Sequence, residues 1–227
     1  MWTVNPNHKL EIKPLKAFIF DLDGVIVDTA KYHFTAWKRI GEKVGFTLSH
    51  EQNESLKGVS RVASLERILG WAGVQLSSEE KEVLLIEKNE DYLQQIDAMG
   101  REEILPGVLE LLQFAQENNI PVALGSASKN ATRILEKLNI TSYFNAIVDG
   151  NHVSKSKPDP EVFLKGAELL QQAPENCVVF EDAAAGIAAA KAAGMATIGM
   201  GGADEVKTAD HCFDAMDQIT TAFIRSL

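Results

Sequence analysis

Four short apolar runs punctuate the chain: Ala17 to Phe20, Val122 to Leu124, Ala146 to Val148 and Cys177 to Phe180. Each is bounded by polar residues or glycine, as buried strands are. Thr197 to Met200 reads as a fifth strand. Between the runs the apolar period lengthens to that of a helix. Ala131, Ile134, Leu135 and Leu138 fall on one helical face. Asp159 and Pro160 read as the N-cap and first residue of another helix, continued by Phe163, Ala167 and Leu170. Ile187 to Ala193 reads as a third, ending near Gly194. Strands alternating with helices predict an α/β fold, a parallel Rossmann-like sheet with helices on both faces.

The stretch from Thr29 to Ala98 breaks this alternation. Its patterns (Tyr32 to Val44, Val62 to Leu69, Glu79 to Ile96) are long and helical, with no strand between them. The expectation is an all-helical cap domain, residues 29–98, inserted into an α/β core domain of residues 1–28 and 99–227. A length of 227 residues suits one core with one insert.

Charge narrows the partners. With 22 Lys+Arg against 32 Asp+Glu, the net charge is -10. Such a field repels nucleic acid and anionic membranes, so neither is expected as a partner. The insert carries 9 Lys+Arg against 11 Asp+Glu and the remainder 13 against 21, so the acidity belongs mostly to the α/β part. The two cysteines, Cys177 and Cys212, match no zinc or redox spacing and fit a reducing compartment. Cys177 lies in an apolar run and reads as core filling. Met1 to Lys16 has no apolar signal-peptide stretch, and tag, natural extension and interface arm all remain readings of it. The Ala- and Gly-rich stretch from Ala183 to Ala203 is interrupted by Lys191 and lacks the branched apolar density of a membrane span. A soluble, cytoplasmic, monomeric protein is expected.

Ligands of open α/β sheets bind at the carboxyl ends of the strands. The first strand is followed by Asp21 and Asp23, the second by Ser126 to Asn130, the third at some distance by Lys155 to Pro158, and the fourth by Glu181 and Asp182. Two apart in extended backbone, Asp21 and Asp23 would face one side. Their mutual repulsion calls for a cation or a proton. Four such acids fit a hard divalent cation, Mg²⁺ if a phosphate completes its shell. Ser126 can donate to a phosphate oxygen, and Lys157 can hold developing charge. Free N–H groups near Ser128 to Ala131, at a helix start, can receive an anion.

In this order the motifs resemble those of the haloacid dehalogenase (HAD) superfamily. Asp21-Leu22-Asp23-Gly24-Val25-Ile26-Val27-Asp28 is similar to its nucleophile motif, and Ser126, Lys157-Pro158 and Glu181-Asp182 to the other three. The likeness covers the chain from about residue 15. Three local segments resemble the β-phosphoglucomutase branch: Asp28 to Trp37 at the entry to the cap, Leu56-Lys57-Gly58-Val59-Ser60-Arg61 with Ser64, and Ser126-Ala127-Ser128-Lys129-Asn130. That resemblance implies a phosphosugar mutase interconverting β-D-glucose 1-phosphate and glucose 6-phosphate, with β-glucose 1,6-bisphosphate as intermediate and activator.

It further implies roles. Asp21 is the nucleophile and forms an aspartyl phosphate; Asp23 is the general acid/base; Ser126 and Lys157 grip the transferring phosphoryl group. One Mg²⁺ is held by Asp21, the backbone carbonyl of Asp23, Asp182 and Glu181, the last either as a ligand or behind one. Arg61, Ala127, Ser128, Lys129 and Asn130 hold the distal phosphate or sugar. Lys57, Gly58, Val59, Trp37, Ser64 and Lys88 line the cap side, and His33 helps place Asp23.

Plainer readings stand beside these. Lys88 on a charged helix is equally read as solvated, Trp37 as cap core, His33 as an exposed helix residue and Asp149 as a loop acid. Arg61 sits at a helix start, where a cation is unfavourable, which favours anion binding. Lys155 competes with Lys157, and the adjoining Pro158 decides for Lys157. Ala183 departs from the family pattern, which often has a small hydroxyl residue there; weaker metal binding is expected from the loss. The alternative function is a HAD-type sugar-phosphate phosphatase, with water as acceptor. A non-catalytic sugar-phosphate sensor would predict a replaced nucleophile, yet Asp21 and Asp23 are both present.

Overall fold

The computed structural model describes residues 17–202 and 204–227, so the readings made for Met1 to Lys16 lie outside the described residues. Its frame is a six-stranded sheet of β1 (Ala17–Phe20), β2 (Val122–Gly125), β3 (Ala146–Val148), β4 (Cys177–Glu181), β5 (Ala196–Met200) and β6 (His211–Phe213), ordered β3-β2-β1-β4-β5-β6. Every neighbouring pair is parallel. The central β1 pairs with β2 and β4, so its end lies where the strand order turns back, the crevice in which such sheets bind ligands.

After β1 come α1 (Ala30–Lys43), α2 (His50–Glu54), α3 (Arg61–Ala72) and α4 (Ser78–Ala98), with no strand among them. The remaining helices are α5 (Val108–Glu117), α6 (Ala131–Leu138), α7 (Glu161–Leu169), α8 (Ala184–Ala192) and the short α9 (Thr221–Ile224). Strand periodicity divides the core. Phe18 and Phe20 join Val178 and Phe180 on one face, where α5 and α6 cover them; Phe20 and Phe180 stack at 4.5 Å. Ala17, Ile19 and Val179 fall on the other face, under Phe163 and Ala167 of α7 and Ala189 and Ala190 of α8. Apolar residues on both faces are what covered parallel strands require.

The insert has its own apolar cluster, formed by Trp37, Ile40, Leu48, Leu56, Leu65, Ile68 and Leu69. It is also tied to the sheet domain. Ala36, Tyr92 and Ile96 pack into the main cluster, Tyr32 Oη donates to Glu103 (2.6 Å), and Arg133 meets Asp97 (2.6 Å). Among the described residues no helix is long and apolar enough to cross a membrane.

Several local expectations shift. Pro160, not Asp159, is the N-cap of α7, and Asp159 instead accepts from the Glu161 N–H (3.0 Å). The α2 helix has no apolar face to betray it; a capping box between Ser49 and Gln52 starts it. The edge strand β6 is largely exposed and so escapes a search for apolar runs.

Candidate active site

The Asp21 N–H donates to the Phe180 carbonyl (3.0 Å), extending the β1–β4 ladder by one residue. The chain then bends: the Leu22 carbonyl accepts from Val25, Ile26 and Val27. Gly24 in this turn has φ +83°, and a Cβ there would lie 2.1 Å from Asp182 Oδ2, so glycine alone lets the turn close over the acid. The bend replaces the side-by-side carboxylates expected of an extended strand. Asp21 and Asp23 take different partners.

Asp21 faces inward. Its Oδ1 lies 2.5 Å from Lys157 Nζ, which also meets Glu181 Oε1 at 2.6 Å. Asp21, Glu181 and Asp182 are all buried, with one carboxylate oxygen from each within 4.8 Å of the others. Burial pushes the Asp21 carboxyl well above its ordinary range; Lys157 opposes this, while Glu181, Asp23 and Asp182 add to it. Burial and Glu181 raise Asp182 to about 7 against the pull of Lys57. For Lys157, the two carboxylates outweigh burial and hold the ammonium above its usual value. One lysine among three buried acids leaves an excess of negative charge, and oxygen donors so close together fit a hard divalent cation. The other Glu181 oxygen accepts from the Ala183 N–H (2.8 Å). Lys57 reaches down from the insert to within 3.3 Å of Asp182 Oδ2.

Asp23 faces the insert. Thr29 Oγ1 donates to its Oδ1, and His33 Nε2 stands 3.7 Å from the same oxygen. Lys88 Nζ lies 2.8 Å from His33 Nδ1. An ammonium can only donate, so Nδ1 accepts and the neutral ring keeps its proton on Nε2, toward Asp23. Burial alone would raise Asp23, but His33, Thr29 and the charge of Lys88 hold it below its ordinary value. Burial and Lys88 lower His33 against the pull of Asp23. Burial, with Arg61, brings Lys88 down to about 7 against the pull of Asp23. Lys88 is only 2% exposed and sits over the rings of Trp37 (5.0 Å) and Tyr92 (4.5 Å), so the solvated reading does not hold.

Between the two groups opens a cleft of about 450 Å³, within the ordinary range for small-ligand sites. From the insert it is lined by His33, Trp37, Lys57, Gly58, Val59, Arg61, Ser64 and Lys88; from the sheet domain by Ser126, Ala127, Ser128, Lys129, Asn130 and Lys157; Asp23 and Asp182 complete its floor. Trp37 serves both readings, as a member of the insert's apolar cluster and as cleft wall. Gly58 approaches Ala183 closely, a Cβ on it lying 3.5 Å from the Ala183 Cβ. The burial of Arg61 lowers its guanidinium below the usual value, as expected of a cation held partly out of water.

The loop from Ser126 to Asn130 is held from behind. Ser126 N–H donates to Val148 O (2.9 Å), Ser126 Oγ accepts from Ser128 N–H (3.1 Å), and Gly150 N–H donates to Ser128 O (3.1 Å). Asn151 Nδ2 donates to Lys129 O (3.0 Å), while Asp149 accepts from Asn151 N–H (2.8 Å). Asp149 is therefore a buried brace for this loop and not the loose loop acid read from sequence. Lys155 is exposed and pairs with Asp159 (3.3 Å), leaving Lys157 as the lysine of the site.

The fold thus gathers every residue picked from the sequence around one cleft, with Asp21 and Glu181 just beneath it. It also brings in residues the sequence reading passed over: Thr29 and Tyr92 beside Asp23, Asn53 and Ile86 in the cleft wall, and Asn89, which accepts from Asn130 Nδ2 (2.9 Å) across the two parts.

Comparison with known proteins agrees with this geometry. A sequence profile of the haloacid dehalogenase-like hydrolases matches residues 15–194. The chain is 46% identical to a β-phosphoglucomutase of Bacillus subtilis over 198 residues, 86% of this chain and 88% of that one. It is 32% identical to a phosphorylated carbohydrates phosphatase of Thermotoga maritima over 81% of this chain and 84% of that one. A crystal structure of β-phosphoglucomutase from Clostridium difficile superposes with a TM-score of 0.90 at 43% identity, covering 93% of this chain and 96% of that chain.

Proposed function

Because the chain belongs to the haloacid dehalogenase-like hydrolase family, we propose that its cleft carries out phosphosugar mutase chemistry, interconverting β-D-glucose 1-phosphate and D-glucose 6-phosphate. The observation that carries this reading is the division of the two aspartates. Asp21 lies in the sheet domain with Lys157, whereas Asp23 is held by Thr29 and His33 of the insert. A nucleophile in one part and an acid/base tied to the other make proton transfer depend on how the two parts meet. A mutase needs that dependence, since a phospho-enzyme must wait for a sugar and not for water. The 46% identity to a β-phosphoglucomutase supports the same choice over the phosphatase reading.

In this reading residues 29–98 act as a cap over an α/β core. Phosphorylated Asp21 gives its phosphoryl group to the 6-hydroxyl of β-glucose 1-phosphate while Asp23 takes that hydroxyl's proton, which forms β-glucose 1,6-bisphosphate and frees the Asp21 carboxylate. Ser126 and Lys157 hold the phosphoryl oxygens. Arg61, Ser128, Lys129 and Asn130 hold the other end, and Lys57 to Val59, Trp37, Ser64 and Lys88 enclose the sugar. Once the bisphosphate has turned round, Asp21 attacks the phosphorus on O1 and Asp23 returns its proton to the departing O1, which releases glucose 6-phosphate and restores the phospho-enzyme. The close-set oxygens of Asp21, Asp182 and Glu181 fit one Mg²⁺, with the Asp23 carbonyl as a further donor. That ion, when bound, neutralises charge on the reacting phosphoryl group. All these side chains come from one chain, which supports action as a monomer, and the sparse cysteines fit the cytoplasm.

The test is to trap the phospho-enzyme. With labelled β-glucose 1,6-bisphosphate and Mg²⁺, the protein should retain acid-stable label at Asp21 after a brief quench, and Asp21→Asn should fold normally, take no label and lose turnover. Label elsewhere, or near-normal turnover in Asp21→Asn, would remove Asp21 from its role.

A further inference from the structure

Among the described residues Tyr92 is the largest fully buried side chain, yet its hydroxyl has no hydrogen-bond partner there. Buried hydroxyls are nearly always paired, and the exceptions call for an explanation. The surroundings supply one. The ring of Tyr92 lies 4.2 Å from His33 and under Lys88 Nζ at 4.5 Å, the two residues that flank Asp23. The hydroxyl itself stands beside Thr29 and Asp23 without reaching bonding geometry to either, and burial next to the Asp23 charge keeps it firmly protonated. Both contacts that Asp23 makes, to Thr29 and His33, fall on Oδ1. A protonated donor, already desolvated and beside a carboxylate that has an oxygen to spare, needs only a small swing of that side chain to bond with it.

We propose that Tyr92 is a positioning residue for Asp23: its hydroxyl donates to the Asp23 carboxyl when that group exchanges a proton with the sugar, and so fixes the carboxyl's direction. Tyr92 keeps its own proton throughout; the proton that moves travels between Asp23 and the sugar oxygen. The inference rests on the acid/base role of Asp23 given above. It assigns part of the control of that role to α4 as well as to Thr29 and His33.

The test exploits leaving groups. A sugar alkoxide needs a proton as it departs, whereas p-nitrophenolate does not. Phosphorylation of Asp21 is followed in a single turnover, once from β-glucose 1,6-bisphosphate and once from p-nitrophenyl phosphate, in wild type, Tyr92→Phe, Asp23→Asn and the double variant. Tyr92→Phe removes a hydroxyl that makes no bond in the structure, so it should melt as wild type does. We expect it to slow transfer from the bisphosphate about tenfold or more while the p-nitrophenyl rate stays within about twofold, and to add nothing further in the Asp23→Asn background. Equal loss with both donors would mark Tyr92 as structural, and no loss with either would remove the role; both overturn the inference while Asp23 stands. If Asp23→Asn itself fails to discriminate between the donors, the acid/base reading falls and this inference falls with it.

Discussion

Lys88 shows how one buried group is set by its neighbours. Burial, with Arg61 nearby, brings its ammonium from 10.5 to about 7. The folded value lies below the unfolded one, so between about pH 7 and 10.5 the unfolded chain binds the extra proton and stability rises with pH. Lys88→Met should flatten that rise. Chemical unfolding at pH 7 and pH 9.5 measures it: the wild type should gain up to a few kcal/mol over the interval, and the variant distinctly less. Arg61 has a different task. If it holds the distal phosphate, Arg61→Ala should raise KM for β-glucose 1-phosphate about tenfold to a hundredfold, the worth of a charge-assisted bond, and leave small aryl phosphates nearly unaffected; steady-state kinetics on both substrates decide it. That Asp21, Asp23, Ser126, Lys157 and Asp182 meet in one place was legible because each directly follows a strand or carries a motif. The presence of Thr29 and Tyr92 there was not. Tyr92 comes to Asp23 from α4, 69 positions along the chain, and Thr29, six residues from Asp23, comes there because the chain turns back after β1; no apolar period records either.

At the scale of elements, α8 tests the effect of one missing hydroxyl. Ala183 is its N-cap, in extended conformation (φ -123°, ψ 142°), and supplies no side-chain cap. Its own N–H is committed to Glu181 Oε2 at 2.8 Å. Ala183→Ser should let Oγ accept from an unpaired N–H of the first turn and raise stability by about 1 kcal/mol, read as a shift of the unfolding midpoint at constant slope. The departure from the family pattern seen in sequence is thus first a capping defect in this helix. The first four strands were readable because apolar residues are needed on both of their faces, and that leaves an uninterrupted run. β6, at the sheet edge, is under no such demand. The α2 helix was invisible for the opposite reason: its five residues are all polar or charged, and Ser49 with Gln52 supplies its start.

For the whole molecule, the arrangement resolves an apparent conflict. A net charge of -10 suits a phosphate ligand poorly. Yet much of the buried acidity is concentrated in Asp21, Glu181 and Asp182, where Lys157 and a hard cation can answer it, and the cleft above is walled by Lys57, Arg61, Lys88 and Lys129. Local fields decide binding at these distances, because screening removes the distant ones. In the proposed reading the chemistry is shared, Thr29 and His33 serving Asp23 from one side of the cleft and Asp21, Ser126 and Lys157 acting from the other. Core motifs alone do not choose between sugar and water as acceptor; the proposed function assigns that choice to the wall built by the insert. The direct measurement supplies β-glucose 1-phosphate, Mg²⁺ and a trace of β-glucose 1,6-bisphosphate, and follows glucose 6-phosphate and inorganic phosphate separately. The account predicts that glucose 6-phosphate forms in large excess over inorganic phosphate. Inorganic phosphate as the dominant product would contradict it and identify the protein as a phosphatase.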